Sequence, residues 1–465
     1  MNVMHNHSVA RASVVQVFCR PYLVDEFRAN FAALDGQFDI HFLCDGHAPG
    51  TTDTREVFYR HWRQRDVSPL LTPSEIDDCL TRCRLLRNIA RADAMRMVHA
   101  MALSLETHLA ASNPHVVICH MVDEYVTHLL SILARKRGIL YLGYIYSYFP
   151  GYVQVVQGSD GQGFDVREPT DEEAQDIVAR FSKGRFRQNY AQKKRGTVAR
   201  QLKAMFRYRV KLAYFWLKGR WERDPLNLHY QITPHIAEYR HLRDLPSTDQ
   251  FSADWEQQIA KAKSEGGKVV FLPLAYFPES AVDFWVGDTS IIKYDDATIE
   301  MVEALASDFA VAIKEHPHMV GARDCRLYRR LASIKGVIMV PPDAYATDLM
   351  DDCDAVLLGG GSGGVEATLR GKPVFSYCDT SYWFAASKAS FLDLGKIKTW
   401  PELIMNTLSN TVERTDADRL AFAKACLRST MRARGVGGRW PLCNKYDLVL
   451  ALNKAMSLRS RDTRT

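Results

Sequence analysis

The 465-residue chain contains no stretch of eighteen uninterrupted apolar residues, which excludes a conventional membrane-spanning helix. Its amino terminus, MNVMHNHSVARASVV, lacks the apolar run of a secretory signal. The ten cysteines include no CxxC pair: Cys19, Cys44 and Cys119 fall in apolar strand-like segments, while Cys79 and Cys83 have helical spacing. This pattern speaks against a disulfide framework or a zinc site and for reduced thiols. Together these absences lead us to expect an enzyme on the cytoplasmic side of the membrane. Internal repeats and low-complexity arrays are also missing.

What is present is an ordinary globular composition, 47% hydrophobic, with enough residues for two sizeable cores. The net charge of +6 hides a contrast. Residues 180–223 carry fifteen Lys/Arg and one acid, net +14, which leaves the rest of the chain at −8. Within this interval, 198–221 has helical order. Arg200, Lys203, Arg207, Lys211 and Lys218 share one face; Leu202, Met205, Phe206, Val210, Phe215, Trp216, Leu217 and Trp221 spread over the other side. Such an interfacial helix suits peripheral contact with the inner membrane surface. A solvated helix packed on a domain, or a groove for a polyanionic glycan, would have the same pattern. No nucleic-acid motif accompanies the charge, so nucleic acid is not an expected partner.

The strongest local signal is Leu357-Leu358-Gly359-Gly360-Gly361-Ser362-Gly363-Gly364-Val365-Glu366, followed by Leu369-Arg370-Gly371-Lys372-Pro373-Val374. It reads as strand, glycine loop, helix and next strand. Glycines allow backbone N–H groups to approach an anion, and a helix starting near Gly363 would point its positive end at the same place. Glu366 falls in the first helical turn, where a carboxylate can accept hydrogen bonds from sugar hydroxyls. No Gly-Lys-Ser/Thr follows the glycines, so this is not a Walker loop. Turns of this kind also occur without a ligand.

Neighbouring segments strengthen the signal. Residues 268–274 (KVVFLPL) and 309–314 (FAVAIK) read as buried strands that end in Tyr276-Phe277-Pro278-Glu279 and Glu315-His316-Pro317. Helical spacing over 295–308 and 324–333, with a further strand at 336–340, gives the alternation of a parallel sheet. The loops at the carboxyl ends of parallel strands share one edge, so Glu279, Lys314, His316, Ser362 and Glu366 should gather around one crevice. The alternatives are a structural histidine, a strand-end lysine and a loop salt bridge at Glu279.

The combination LPLAYFPES (272–280), KEHP (314–317) and GGGSGGVEATLRGKPV (359–374) resembles the capsule polysaccharide biosynthesis family, which includes Kdo (3-deoxy-octulosonic acid) transferases. The resemblance covers roughly 268–378. It implies an α/β GT-B architecture of two Rossmann-like domains facing across a cleft, with the nucleotide half of a CMP-sugar or similar donor on the second domain. By the same resemblance His316, Pro317 and Lys314 would lie by the donor phosphate. Gly361, Ser362, Gly363 and Gly364 would hold that phosphate, and Glu366 or Glu279 would contact hydroxyls. A cation, an imidazole and a helix N-terminus suit the charge of a leaving nucleotide, so no metal or other cofactor is expected.

The first half supplies the acceptor side. Strands are expected at 13–19 and 38–44 around a helix over 24–34, a long helical stretch over 74–111, and strands at 115–121 and 139–146. Asp123 and Glu124, after the third strand, are the candidates for a catalytic carboxylate, base or nucleophile. Asp123 could instead cap the following helix. Tyr144, Tyr146 and Tyr148 are candidates for stacking on sugar rings or for core positions.

The expected domains are an amino-terminal Rossmann-like unit (1–157), a basic helical insertion (158–266), a nucleotide-sugar unit (267–400) and carboxyl-terminal helices (401–465). Thr170 with Glu173 forms a capping box, and the last helix, near 445–457, is expected to cross back to the first unit. The functional expectation is a glycosyltransferase of capsule or other cell-surface polysaccharide synthesis. Its acceptor would be lipid-linked or an oligosaccharide. A UDP-N-acetylglucosamine 2-epimerase-like enzyme and a non-catalytic glycan-binding or assembly protein are the alternatives.

Overall fold

In the computed structural model the described residues are 13–34, 36–158, 161–182, 184, 206, 209–210, 213–214, 217–218, 220–221, 224–226, 250–277, 280–317, 319, 323–410, 414–434 and 441–462. They form two α/β units. In the first, β1 (Val14–Cys19), β2 (Asp39–Cys44), β3 (Thr52–Asp53), β4 (Val116–His120), β5 (Leu140–Tyr146) and β6 (Tyr152–Gln157) lie in the order β6-β5-β4-β1-β2-β3. In the second, β8 (Lys268–Pro273), β9 (Phe309–Lys314), β10 (Val337–Val340), β11 (Ala355–Leu358), β12 (Val374–Ser376) and β13 (Ser390–Phe391) lie in the order β10-β9-β8-β11-β12-β13. Both follow the 3-2-1-4-5-6 order of a Rossmann sheet, so the chain holds two Rossmann-like domains.

The β-branched and aliphatic runs explain the central strands. Val15, Val17, Val116, Val117, Val269, Val270, Val311, Val356 and Leu357 are wholly buried, as expected for parallel strands covered by helices on both faces. The helices of the first unit are α1 (Val24–Phe31), α2 (Arg55–Gln64), α3 (Pro73–Arg82), α4 (Arg91–Ser112) and α5 (Tyr125–Lys136). The stretch read as one helix over 74–111 is thus two, separated by a short 3-10 turn at Leu86–Asn88. Cys83 has left the helical region (φ −76°, ψ 118°), and this break brings Arg82, Arg84 and Arg87 to the second unit.

The interval 401–465, read as helices, also contains strand. After the helices Trp400–Asn410 and Asp416–Arg428, β14 (Thr430–Arg434) pairs antiparallel with β6, and β15 (Leu442–Cys443) pairs with β14. Thr430 and Met431 are buried and Arg432 and Arg434 exposed, so the two-residue period runs only from Met431 onward, concealed by the helical residues before it. The final helix, Lys445–Asp462, buries Leu448, Ala451, Leu452 and Ala455 in the same core as Val15, Val17 and Ile118. Around 158–266, β7 (Gln162–Gly163) pairs with β6, and α6 (Asp171–Phe181) starts at the capping box formed by Thr170 and Glu173. Most of the basic stretch 198–221 lies outside the described residues.

The two units are held together by charge and by apolar packing. Arg82 of α3 donates to the carbonyls of Asp283 (2.9 Å), Val286 (2.8 Å) and Gly287 (2.9 Å). Arg84 and Arg87 pair with the fully buried Asp283 carboxylate at 2.9 and 3.2 Å. Phe284, Trp285 and Val286 extend the core that contains Leu105 and Leu129, and the His128 and Phe284 rings lie 5.5 Å apart.

Candidate functional site

In each sheet the strand order reverses beside the first strand, between β1 and β4 and between β8 and β11. Loops leaving such a pair diverge to opposite faces and open a crevice at the carboxyl edge. At the first of these points, Arg20 follows β1, Asp45 follows β2, and Asp123 and Glu124 follow β4. Arg20 Nη2 donates to Asp123 Oδ1 at 2.9 Å and also pairs with Glu124, while Nη1 reaches Asp45 Oδ2 at 3.3 Å. One guanidinium therefore serves three carboxylates.

That shortage sets the protonation. Burial pushes the Glu124 carboxyl well above its ordinary value; Arg20 pulls it down, but Asp123 and Asp45 add to the rise. For Asp123 burial also favours the neutral acid, yet Arg20, His120 and Arg84 outweigh it and lower its pKa. Burial keeps His120 neutral by lowering its pKa. Asp123, with a quarter of its side chain exposed, is thus held toward the carboxylate, while the buried Glu124 beside it is pushed toward the neutral acid. Neither side chain caps α5: Glu124 occupies the N-cap with no side-chain capping bond, and Thr127 Oγ1 accepts the Asp123 N–H at 3.3 Å. Capping thus does not account for either acid.

The pH dependence of stability follows from the raised Glu124 value. Its folded pKa exceeds the reference 4.5, so its stabilising contribution is complete below that pH and declines as pH rises toward the folded value. Glu124→Gln removes this decline. Relative to the parent, the variant should gain stability above pH 4.5 at up to about 1.4 kcal/mol per pH unit, read by urea unfolding at several pH values. A difference that does not change with pH would contradict the assignment.

At the second crevice the adjacent strands β9, β8 and β11 deliver the loops after Lys314, Pro273 and Leu358 to one edge. Lys314 is buried there, with Nζ donating to the Glu315 carbonyl at 3.3 Å. His316 is half-buried, its ring 5.2 Å from that of Tyr276. Pro317 is exposed in the turn closed by Met319 N–H donating to the His316 carbonyl at 2.8 Å. Glu279 lies outside the described residues. Glu315, absent from the sequence-based candidates, is wholly buried and braces the loop. It accepts from Arg323, from Tyr328 Oη at 2.7 Å and from the His316 N–H at 2.5 Å.

The glycine run has two separate physical causes. A Cβ on Gly364 would lie 2.3 Å from Trp383 carbons, so packing requires glycine there; one on Gly360 would lie 2.5 Å from Ser381 Oγ, a hydroxyl that would have to turn aside. Gly361 has open space where a Cβ would be, and Gly363 would meet Leu358 Cδ1 at 3.2 Å. Ser362 is the N-cap of the seven-residue helix Gly363–Leu369, without a side-chain capping bond. Glu366, in its first turn, is only 8% exposed.

The two edges meet. Tyr148, beyond β5, donates its hydroxyl to the Gly360 carbonyl at 3.1 Å, and its ring lies 5.6 Å from that of Tyr382. Tyr144 is core, whereas Tyr146 is exposed. Arg84 links the first site to the interface by donating to the Asp123 carbonyl at 3.1 Å while pairing with Asp283. Arg20 and Asp45 were missed in the sequence although each directly follows a strand. The same edge rule, applied to the first two strands, points to both.

No protein-family model matches the chain, and no curated protein matches it. Among solved structures it is similar to the Methanocaldococcus jannaschii UDP-GlcNAc 2-epimerase in complex with UDP-GlcNAc and UDP, at 12% identity and a TM-score of 0.29, covering 95% of this chain and 99% of that one. It is also similar to two solved structures of Thermosulfurimonas dismutans KpsC. The β-Kdo 2,7-transferase matches at 12% identity and a TM-score of 0.32 (83% of this chain, 97% of that one). The β-Kdo 2,4-transferase matches at 15% and 0.32 (74% and 87%). Scores this low carry no functional weight.

Proposed function

We propose that the protein is a sugar-handling enzyme, and specifically a GT-B glycosyltransferase of capsule or other cell-surface polysaccharide synthesis. It would transfer a sugar, Kdo or a related acidic sugar, from a CMP-linked or similar donor to a lipid-linked or oligosaccharide acceptor. The observation that carries this reading is the pairing of two switch-point crevices, one acidic and one with a lysine, a histidine and an open glycine, joined by Tyr148 and Gly360. Asp123 is the carboxylate available to the acceptor, because it is ionised and partly exposed. In an inverting reaction it takes the acceptor hydroxyl proton; in a retaining one it attacks or stabilises the anomeric carbon.

On the donor side, the Gly361 and Ser362 backbone and His316 would receive the phosphate whose charge grows as the nucleotide leaves, with Lys314 behind them. Gly363, Glu366 and Pro317 would shape this seat, whereas Gly364 serves Trp383 packing. The proposed chemistry uses these groups without a metal. The neighbouring acid and base also support a second reading, a UDP-N-acetylglucosamine 2-epimerase, which needs both in proton transfer at carbon.

Screening CMP-, CDP-, UDP- and GDP-sugars by thermal stabilisation tests the donor site. One nucleotide class at about a hundred times its dissociation constant should add about 2.7 kcal/mol, and His316→Ala should abolish the response. Stabilisation that survives in His316→Ala would refute the assignment. Incubation with UDP-N-acetylglucosamine alone separates the readings, since only the epimerase would yield a new sugar without an acceptor.

A further inference from the structure

Two tyrosines at the carboxyl edge of the first sheet are turned to solvent: Tyr22 is 64% exposed and Tyr146 43%. Tyr22 lies in the 3-10 turn Pro21–Leu23, which joins β1 to α1 and is closed by the Leu23 N–H donating to the Arg20 carbonyl at 2.9 Å. Pro21 opens this turn with a fixed φ, so a stiff backbone carries the exposed ring. Tyr146 is the last residue of β5 and falls on the same face as Tyr144, which lies in the core that contains Phe27 and Phe31 of α1. The turn after β1 and the end of β5 therefore serve one face of the sheet.

Strand order sets Asp123 between them. β4 runs between β5 and β1, and at about 4.8 Å per strand the two outer strands lie about 10 Å apart. The charges that act on the Tyr22 phenol are Arg20, Asp123, Glu124 and Asp45, the four groups of the carboxylate crevice; Glu26, in the first turn of α1, acts on Tyr146. Tyr22 thus stands at the mouth of that crevice. An exposed tyrosine offers an apolar ring to the C–H face of a pyranose, and a carboxylate beside it accepts from the sugar's hydroxyls.

Charge narrows the class of sugar. Against the acids Asp45, Asp123, Glu124 and Glu26 the crevice sets Arg20, which already serves three of them, and Arg84, which pairs with Asp283; burial keeps His120 neutral. A ligand bearing its own carboxylate or phosphate at this place meets like charge, with both arginines already engaged. We propose that Tyr22 and Tyr146 form a subsite for an uncharged or amino sugar, the unit of the acceptor that offers its hydroxyl to Asp123. This rests on the glycosyltransferase reading and adds to it the class of the accepting sugar, which carries no acidic group.

Glycan binding in the absence of any nucleotide tests the subsite. The labelled full chain, applied to a printed array of oligosaccharides, should bind members that end in hexoses, N-acetylhexosamines or free amino sugars and pass over their uronate- and sialate-ended counterparts. Titrated with the best-bound oligosaccharide, Tyr22→Ala and Tyr146→Ala should each lose about tenfold in affinity, whereas Tyr22→Phe and Tyr22→Trp should stay within about threefold of the parent. Tyr22 is exposed, so its substitution should leave the thermal midpoint and the stabilisation by nucleotide sugars unchanged. A preference for acid-ended members, no binding to any member, or a Tyr22→Ala variant that binds like the parent would each overturn the subsite. With nucleotide stabilisation intact, those results leave the donor site standing. Glycan binding that needs Tyr22, in a protein that no nucleotide sugar stabilises, would support the subsite and count against the transferase.

Discussion

Asp123→Asn is expected to lower kcat by about 10²–10⁴-fold, the range of a positioned general base, while leaving donor affinity and the thermal midpoint unchanged. The amide oxygen can still accept from Arg20 Nη2, which holds Asp123 Oδ1 at 2.9 Å, so the loop has little reason to move. What is lost is the ionised oxygen. A second consequence distinguishes this from a structural effect. Asp123 is one of the charges that raise Glu124, so its neutralisation should bring the Glu124 pKa down and alter the pH profile of the residual activity. A kcat equal to that of the parent, with the donor still bound, would remove Asp123 from the chemistry. A non-catalytic protein would instead show no turnover and little or no nucleotide binding, and Asp123→Asn would leave its function in cells intact.

The largest expected loss of stability comes from Arg323→Leu, about 3–5 kcal/mol in chemical denaturation. Arg323 and Glu315 are buried together, with side-chain exposures of 2% and 0%. Burial works against the charge on Arg323, and Glu315 and Tyr294 more than restore it, raising the guanidinium's pKa. Removing the arginine leaves the Glu315 carboxylate in the interior with only Tyr328 and a backbone N–H to bind it. Arg323→Leu combined with Glu315→Gln should recover a substantial part of the loss, because no charge is then stranded. Arg323 also donates to the Ala275 carbonyl at 2.6 Å and so ties the loop after β8 to the loop that carries His316. The single variant should therefore lose nucleotide-induced stabilisation even below its melting point. A change under about 1 kcal/mol would mean that the pair is already solvated or relaxes freely.

Much of the architecture was legible because it depends on local pattern. Apolar runs such as FAVAIK and HVVICH can only be buried strands, and their alternation with helix-length segments dictates a parallel sheet. The loops after 273, 314 and 358 then had to share an edge. The errors fall where local pattern misleads. The run 74–111 has continuous helical character, yet Cys83 turns out of the helix so that three arginines reach the second domain. Thr430–Arg434 follows a helix and became a strand only because β6 offered an unpaired edge.

For the site, chain order already placed Asp123, Glu124, Lys314, His316 and the glycines at strand ends, since a residue after a parallel strand has one edge to go to. What folding decided was which of them differ in kind. Asp123 and Glu124 are adjacent and chemically alike in the sequence; a shared guanidinium and unequal burial shift their pKa values in opposite directions, Asp123 down and Glu124 up. Gly361 and Gly364 are equally glycine, but only the second lies beneath an indole. Sequence determines which chemical groups reach an edge because strand direction is local, whereas charge state and steric need depend on neighbours brought in from distant parts of the chain.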